Sequence, residues 1–273
     1  MNTSRTPLAA IRAGTALGPF TLELSAAANE RYWRAAGLTH PSLVGGALYP
    51  LIAANVTVLT WLERCAEPMI QTRQRLWVHD RAAVPARLTA VGSVTSREVR
   101  RQRDHLTLRV DITQSERPLW TSEVGFTPAA TLGIATRDRP DRASGPEAGV
   151  SASPRAESPR LPGEVRRFTI SDDLIRSYSR RGNYHSDART AEQLGLPGLV
   201  AQGTQACGTA YGMLLDAWGE RVLAGGALDL RFVGMVLGGD EVATTVAMHL
   251  DQARIEVWNT TRDRLAAVGT ATR

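Results

Sequence analysis

Residues 203–219 read GTQACGTAYGMLLDAWG, an apolar run whose first ten positions include Gly203, Ala206, Gly208, Ala210 and Gly212. Interior glycine costs a helix about 1 kcal/mol relative to alanine. Five small residues in ten therefore point to a steric demand, a central helix that strands approach closely. A Gly/Pro-rich connection precedes this run, and ahead of it SDDLIRSYSRRG opens with Ser171 or Asp172 as a helix cap. After it come four alternating segments, ALDLRFVGMV (227–236), EVATTVAMHL (241–250), RIEVWNTT (254–261) and RLAAVGTAT (264–272). Alternation at period 2 predicts half-buried strands, with hairpin-like turns at LGGDE (237–241) and TTRDR (260–264).

The first half follows the same order of events. A polar helical stretch, SAAANERYWRAAG (25–37), leads through a Gly/Pro-broken connection into LVGGALYPLIAANVTVLTWLERCAE (43–67). Strand patterns RLTAVGSVTSREV (87–99), HLTLRVDITQ (105–114) and PLWTSEVGF (118–126) follow. Between the halves, Thr131 to Gly163 holds five prolines, four glycines and no aromatic residue. Such a segment cannot bury enough apolar surface to offset its ordering entropy. The expected organisation is a first unit over 1–130, a flexible linker over 131–163 and a second unit over 164–273.

Each unit is thus one central helix followed by an antiparallel meander, an α+β arrangement in which a curved sheet wraps a helix. That is the hotdog fold, and the chain contains the pattern twice.

Composition narrows the function. The 273 residues are 43% apolar and carry a net charge of +5, all of the positive charge being arginine. Without lysine there is neither a Schiff-base mechanism nor a P-loop lysine. No apolar run is long enough to span a membrane, and the N-terminal residues lack a secretory h-region. Arginines with no acid before Glu23 keep a transit peptide open. The basic cluster REVRRQRDH (97–105) has no interleaved aromatics and reads as a solvated strand face, so no nucleic-acid partner is expected. Cys65 and Cys207 lie in apolar stretches and read as buried thiols of a reducing cytoplasm.

The stretch YSRRGNYHSDARTAEQLGLPGLVAQG (178–203) carries the chemistry. It resembles the signature of the MaoC-like (R)-specific enoyl-thioester hydratases and dehydratases. His185, Asp187, Ala191, GLPG at 195–198 and QG at 202–203 fall into step with that family's pattern. The match covers the second half, and the first half is similar to the degenerate hotdog of double-hotdog members. One departure is specific: the family's aspartate about five residues before the histidine is missing. Arg180, Arg181 and Gly182 occupy that region, with Asn183 the nearest replacement. An amide can orient a water but cannot accept its proton.

The resemblance implies hydration or dehydration of an enoyl or 3-hydroxyacyl thioester of coenzyme A or acyl carrier protein. It implies no metal and no redox cofactor, a cytoplasmic location, no membrane partner, and a monomer or homodimer. His185, titrating near neutrality, is the expected base or acid, assisted by Asn183 or Asp187. The start of the central helix at Gln202 and Gly203 would supply oxyanion donors, with Tyr178 and Tyr184 lining the acyl pocket and the first half widened for the chain. Asp187 also suits a helix cap, and Asn183 a turn. His40, His79, His105 and His249 have no metal spacing and read as structural, His40 alone sitting in the connection that corresponds to the His185 loop. Two alternatives stay open. One is the same fold repurposed for cyclisation or isomerisation of a specialised metabolite, and the other is a non-catalytic acyl-thioester binding module.

Overall fold

The computed structural model describes residues 6–65, 67–100, 103–129, 161–179 and 183–273. The expected linker falls almost wholly outside the described residues. Ten antiparallel strands form one sheet. The first five are β1 (Ala16–Leu24), β2 (Met69–Val78), β3 (Ala86–Arg100), β4 (Arg103–Gln114) and β5 (Arg117–Pro128). The second five are β6 (Val165–Ile170), β7 (Ala227–Phe232), β8 (Asp240–His249), β9 (Gln252–Asn259) and β10 (Arg264–Thr272). Their spatial order is β1-β3-β4-β5-β2-β7-β10-β9-β8-β6. Each half therefore has the same topology, and the halves meet head to head along β2 and β7. This is a double hotdog.

The helices repeat as well. After β1 comes α1 (Ala26–Ala35), capped by Ser25 accepting the Ala28 N–H; after β6 comes α4 (Asp172–Tyr178), capped by Ser171 accepting the Leu174 N–H. Both serines satisfy a first-turn amide that has no acceptor inside its helix. The first half continues through α2 (Pro41–Val44) to α3 (Ile52–Arg64). The second half continues through α5 (Ala188–Gln193), α6 (Gly203–Ala206) and α7 (Gly208–Trp218), closed by α8 (Arg221–Ala224).

Several boundaries differ from the sequence reading. The apolar stretch 43–67 is not one helix: Gly45, Gly46 and Pro50 interrupt it, and Ala47 forms an isolated bridge with Ala83 before α3 begins. The second central helix breaks at Cys207 into α6 and α7. Strands β1, β2 and β6 were not anticipated. They flank the helices rather than sit in the meanders; arginines interrupt the period-2 pattern of β2 and β6, whereas β1 holds a short alternation, FTLEL, behind a Gly-Pro pair. LGGDE is not a hairpin, because β7 pairs with β2 and β10 while β8 lies three places away. TTRDR does join the adjacent strands β9 and β10.

The small residues of the central helix have identifiable neighbours. A methyl group at Gly208 would stand 2.2 Å from the Ala36 carbonyl oxygen, and one at Gly212 would stand 2.7 Å from Leu38. At these two positions the close neighbour is the turn after α1, contributed by the other half, rather than a strand. At Gly203 it is strand β7, whose Phe232 ring occupies the space where a Cβ would lie. Helix α7 is buried on almost all sides, which accounts for its apolar character all round. Thr209 hydrogen-bonds Thr244 of β8 at 2.7 Å, a polar tie inside this core.

Both cysteines are buried, and burial pushes the Cys207 thiol up to about 12. The basic 97–105 segment is partly structural. Arg97 pairs with Asp104 and donates to the carbonyls of Leu8 and Ile11, tying down the N-terminal turn. Among the described residues, no helix is long and apolar enough to cross a membrane.

Gly208→Ala tests the close approach. On propensity alone it should stabilise the helix by about 1 kcal/mol; against the Ala36 carbonyl it should instead destabilise the protein by about 1–3 kcal/mol in urea unfolding.

Candidate active site

The His185 loop leaves α4 and folds back over the segment that leads into the central helix. Its first lock is Asn183, whose Oδ1 accepts three donors: the His185 N–H at 3.1 Å, the Ser179 hydroxyl at 3.1 Å and the Ser186 hydroxyl at 3.3 Å. The Asn183 carbonyl accepts the N–H groups of Ser186 and Asp187. This is a side-chain-closed turn of the kind asparagine favours. With Oδ1 occupied three times, the Nδ2 amide is the polar group left over, and among the described residues it has no partner.

The second lock is Tyr184. Its ring is buried, its hydroxyl donates to the Met69 carbonyl of β2 at 3.0 Å, and it lies against the His185 ring with centroids 4.1 Å apart. The loop of the second half is therefore anchored on the first half. Leu196, Val200 and Leu237 complete a small apolar cluster around Tyr184.

His185 itself is half-buried, and its Nδ1 hydrogen-bonds the Val200 carbonyl oxygen. A carbonyl only accepts, so Nδ1 carries the proton and Nε2 presents its lone pair. Burial holds the imidazole down to about 4, with the Val200 bond acting weakly in the opposite direction. The ring is accordingly neutral throughout the physiological range.

Three residues after Val200 the central helix starts. Gln202 is the N-cap residue, and its Nε2 donates to Ser179 Oγ at 3.3 Å. The chain Gln202–Ser179–Asn183 thus links the helix start to the histidine loop. Gly203 and Thr204 follow with first-turn amides that have no intrahelical acceptor. The Phe232 ring packs directly on the Gly203 Cα, so the glycine makes room for an aromatic side chain as well as for any ligand. Beneath, Tyr178 is fully buried, donates its hydroxyl to Thr204 Oγ1 at 3.2 Å and meets the Tyr32 ring edge-on at 5.4 Å.

The remaining candidates separate. Asp187 is the N-cap of α5: it accepts the Arg189 N–H and the Thr190 hydroxyl, both at 2.9 Å, and these bonds hold its carboxyl below the usual range. His40 caps α2 through Nδ1 and lies 3.7 Å from Asp216, apart from the His185 network. The structure thus joins His185, Asn183 and Gln202 by hydrogen bonds through Ser179, with Tyr184 against the His185 ring, Tyr178 bonded to Thr204 beside Gly203, and Asp187 at the edge as a cap. Sequence reasoning missed Ser179, Val200 and Phe232. Ser179 stands four residues before Asn183, a spacing that signals a local side-chain turn; Val200 acts through its backbone and Phe232 through shape, and neither leaves a motif.

Two outcomes follow from this geometry. Between pH 6.5 and about 4 the unfolded chain binds a proton at His185 that the folded protein does not, so folding stability should fall as pH drops through this window. The fall should be smaller in His185→Gln, as read by urea unfolding across pH. Asp187→Ala should cost about 1 kcal/mol of stability, the usual value of an N-cap, and leave any turnover per folded molecule within about twofold.

Residues 157–268 match the family described as MaoC like domain. No curated protein matches the chain at the level of sequence. Among solved structures, the chain is similar to a MaoC-like dehydratase from Phytophthora capsici (TM-score 0.70, 12% identity, covering 95% of this chain and 96% of that one). It is also similar to the peroxisomal multifunctional enzyme type 2 of Drosophila melanogaster (TM-score 0.73, 14% identity), covering 94% of this chain and 48% of that one. A third likeness is to a conserved hypothetical protein of Mycobacterium tuberculosis with a double hotdog fold (TM-score 0.61, 15% identity, covering 96% of each chain). With a two-fold repeat of β1-β3-β4-β5-β2 topology the fold is a double hotdog, and residues 157–268, in its second half, match the MaoC like domain.

Proposed function

We propose that the protein is a hydratase or dehydratase acting on an enoyl or 3-hydroxyacyl thioester, with coenzyme A or acyl carrier protein as the thiol. The observation that carries this reading is the hydrogen bond of His185 to the Val200 carbonyl, three residues before the central helix, which leaves a neutral imidazole with a free Nε2 lone pair. In the hydration direction, a water donates its proton to Nε2 as its oxygen attacks C3. Asn183 cannot take that proton, but its spare Nδ2–H can donate to the water oxygen and aim it. The same imidazolium then supplies the proton that C2 requires. Negative charge developing on the thioester oxygen is met by the first amides of the helix at Gly203 and Thr204.

The fixed tautomer is what makes the missing family aspartate tolerable. A single base can perform both transfers in turn, provided its geometry does not change between them. The depressed basicity of His185 supports fast proton return to carbon over tight proton retention. Tyr178 and Tyr184, with their hydroxyls already engaged, serve as apolar walls rather than polar contacts. The first half, joined at the β2–β7 seam, is the side from which a long acyl chain would be received. The Phe232 ring lies on Gly203, so an acyl group reaching the helix start has to share that space with the ring.

Crotonyl-CoA hydration, followed by loss of enoyl absorbance, tests the reading directly. His185→Ala should lower the rate at least about 100-fold if the imidazole transfers the proton. Product mass separates the chemistries: hydration adds about 18 Da, whereas isomerisation adds nothing. An unchanged rate in His185→Ala would remove the histidine from the mechanism. Failure with crotonyl and with longer and branched enoyl thioesters would remove hydration.

A further inference from the structure

The Val200 carbonyl that sets the histidine tautomer is itself aimed by a short piece of ladder. Val200 and Leu237 form an isolated antiparallel bridge. On either side of it, Ala201 N–H donates to the Val236 carbonyl at 2.8 Å and Gly238 N–H donates to the Leu199 carbonyl at 3.1 Å. Backbone groups alternate in direction along an extended chain. With residues 199 and 201 pinned to one side, the carbonyl of residue 200 must point to the other, where Nδ1 of His185 waits.

The opposite strand of that bridge is held by a buried carboxylate. Asp240 is 2% exposed, and its Oδ2 accepts the Leu237 N–H, Asn259 Nδ2 and Arg262 Nε, each at 2.8 Å. Met235, two residues earlier, is held through its carbonyl by Asn259 Nδ2 at 3.3 Å and an Arg264 guanidinium nitrogen at 3.0 Å. Between the bridge and Gly239, whose N–H donates to the Ile170 carbonyl of β6 at 2.8 Å, these polar contacts substitute for a ladder. A buried carboxylate is tolerable only when its acceptor sites are filled. Here Oδ2 is filled by the backbone group that faces away from the bridge at Leu237 and by two side chains of the β9–β10 hairpin.

We infer that Asp240, together with Arg262 and Asn259, is a positioning residue for His185, fixing the Nδ1-protonated tautomer through Leu237 and Val200. The path is continuous in hydrogen bonds and backbone: Asp240 carboxylate to Leu237 N–H, across the 236–238 and 199–201 bridge, to Val200 C=O and His185 Nδ1–H. The inference deepens the proposed function, because it matters for catalysis only if the free Nε2 takes the proton from water. Asp240 touches no reacting atom. Its effect is to keep one ring nitrogen protonated and the other free in the absence of a neighbouring catalytic carboxylate.

The test is the tautomer itself, read without turnover. Long-range 1H–15N spectra of the full chain labelled at histidine, with His185 assigned by comparison with H185Q, should find the wild-type ring protonated at Nδ1. In D240N the populations should move toward the Nε2-protonated form that free histidine prefers. Crotonyl-CoA hydration should fall about tenfold, at the low end of the loss that follows when such orienting partners are removed, with KM changed less than kcat. Arg262 is 39% exposed on its side chain, so R262Q serves as a second, milder variant and should shift the same ratio in the same direction. A wild-type ring protonated at Nε2, or an unaltered ratio in folded D240N, overturns the inference. Should D240N not fold, an unaltered ratio in R262Q does so. A wild-type protein without hydratase activity but with a ratio that shifts on substitution would defeat the proposed reaction and leave the positioning role standing.

Discussion

The antiparallel pairing of β2 with β7 is the constraint on which the molecule turns. Along it, Arg73 to Trp77 lie opposite Arg231 to Ala227 and convert two five-stranded sheets into one. On the outer face Arg73 grips Asp229 with two guanidinium nitrogens, and Arg75 bridges Asp229 to Glu123. Charge-assisted, forked contacts of this kind add geometric specificity to the backbone ladder. On the inner face the seam forces the helices of the two halves together. The glycines of α7 therefore answer to Ala36 and Leu38 of the other half, and Tyr178 meets Tyr32.

The candidate site is a consequence of that junction. Its histidine loop is tethered to β2 through Tyr184 and Met69, so the first half participates in the geometry of the second even though it carries none of the motif. Around His185 the polar groups are arranged in layers of decreasing freedom. The Val200 carbonyl decides which nitrogen is protonated; Asn183 fixes the backbone turn; Ser179 and Gln202 couple that turn to the helix start. Each contact is ordinary in strength. Their joint effect is that the imidazole has one orientation and one tautomer.

Phe232 and Gly203 express a different economy. The glycine that a motif reading assigns to ligand approach is already in contact with an aromatic ring. A residue can be required by packing and by chemistry at once, and the sequence pattern alone does not separate the two demands. Asp187 illustrates the converse. A carboxylate two residues from a histidine invites a catalytic role, yet its oxygens accept from Arg189 and Thr190 and begin a helix.

Local rules were enough for much of the fold. Periodicity revealed both meanders, the capping serine of α4 and the polar helix of residues 25–37, because period-2 and capping signals are written in adjacent residues. The duplicated order of events disclosed two hotdogs, and it was the resemblance of 178–203 to a family signature that singled out His185, Asn183 and the helix start at Gly203. What local pattern could not disclose depended on contacts between residues far apart in the chain. Strands β1, β2 and β6 are strands because their neighbours complete them; LGGDE is a crossing loop because β7 is claimed by β2; the glycines of α7 are small because of Ala36 and Leu38. The tautomer of His185 belongs to the same class. A side chain's identity makes it a potential base, but which nitrogen carries the proton is settled by a backbone carbonyl 15 residues away. The sequence by itself determined the residue types and the repeat, since those are properties of neighbours in the chain. Only the tertiary structure decided orientation, because orientation is set by hydrogen bonds that close across it.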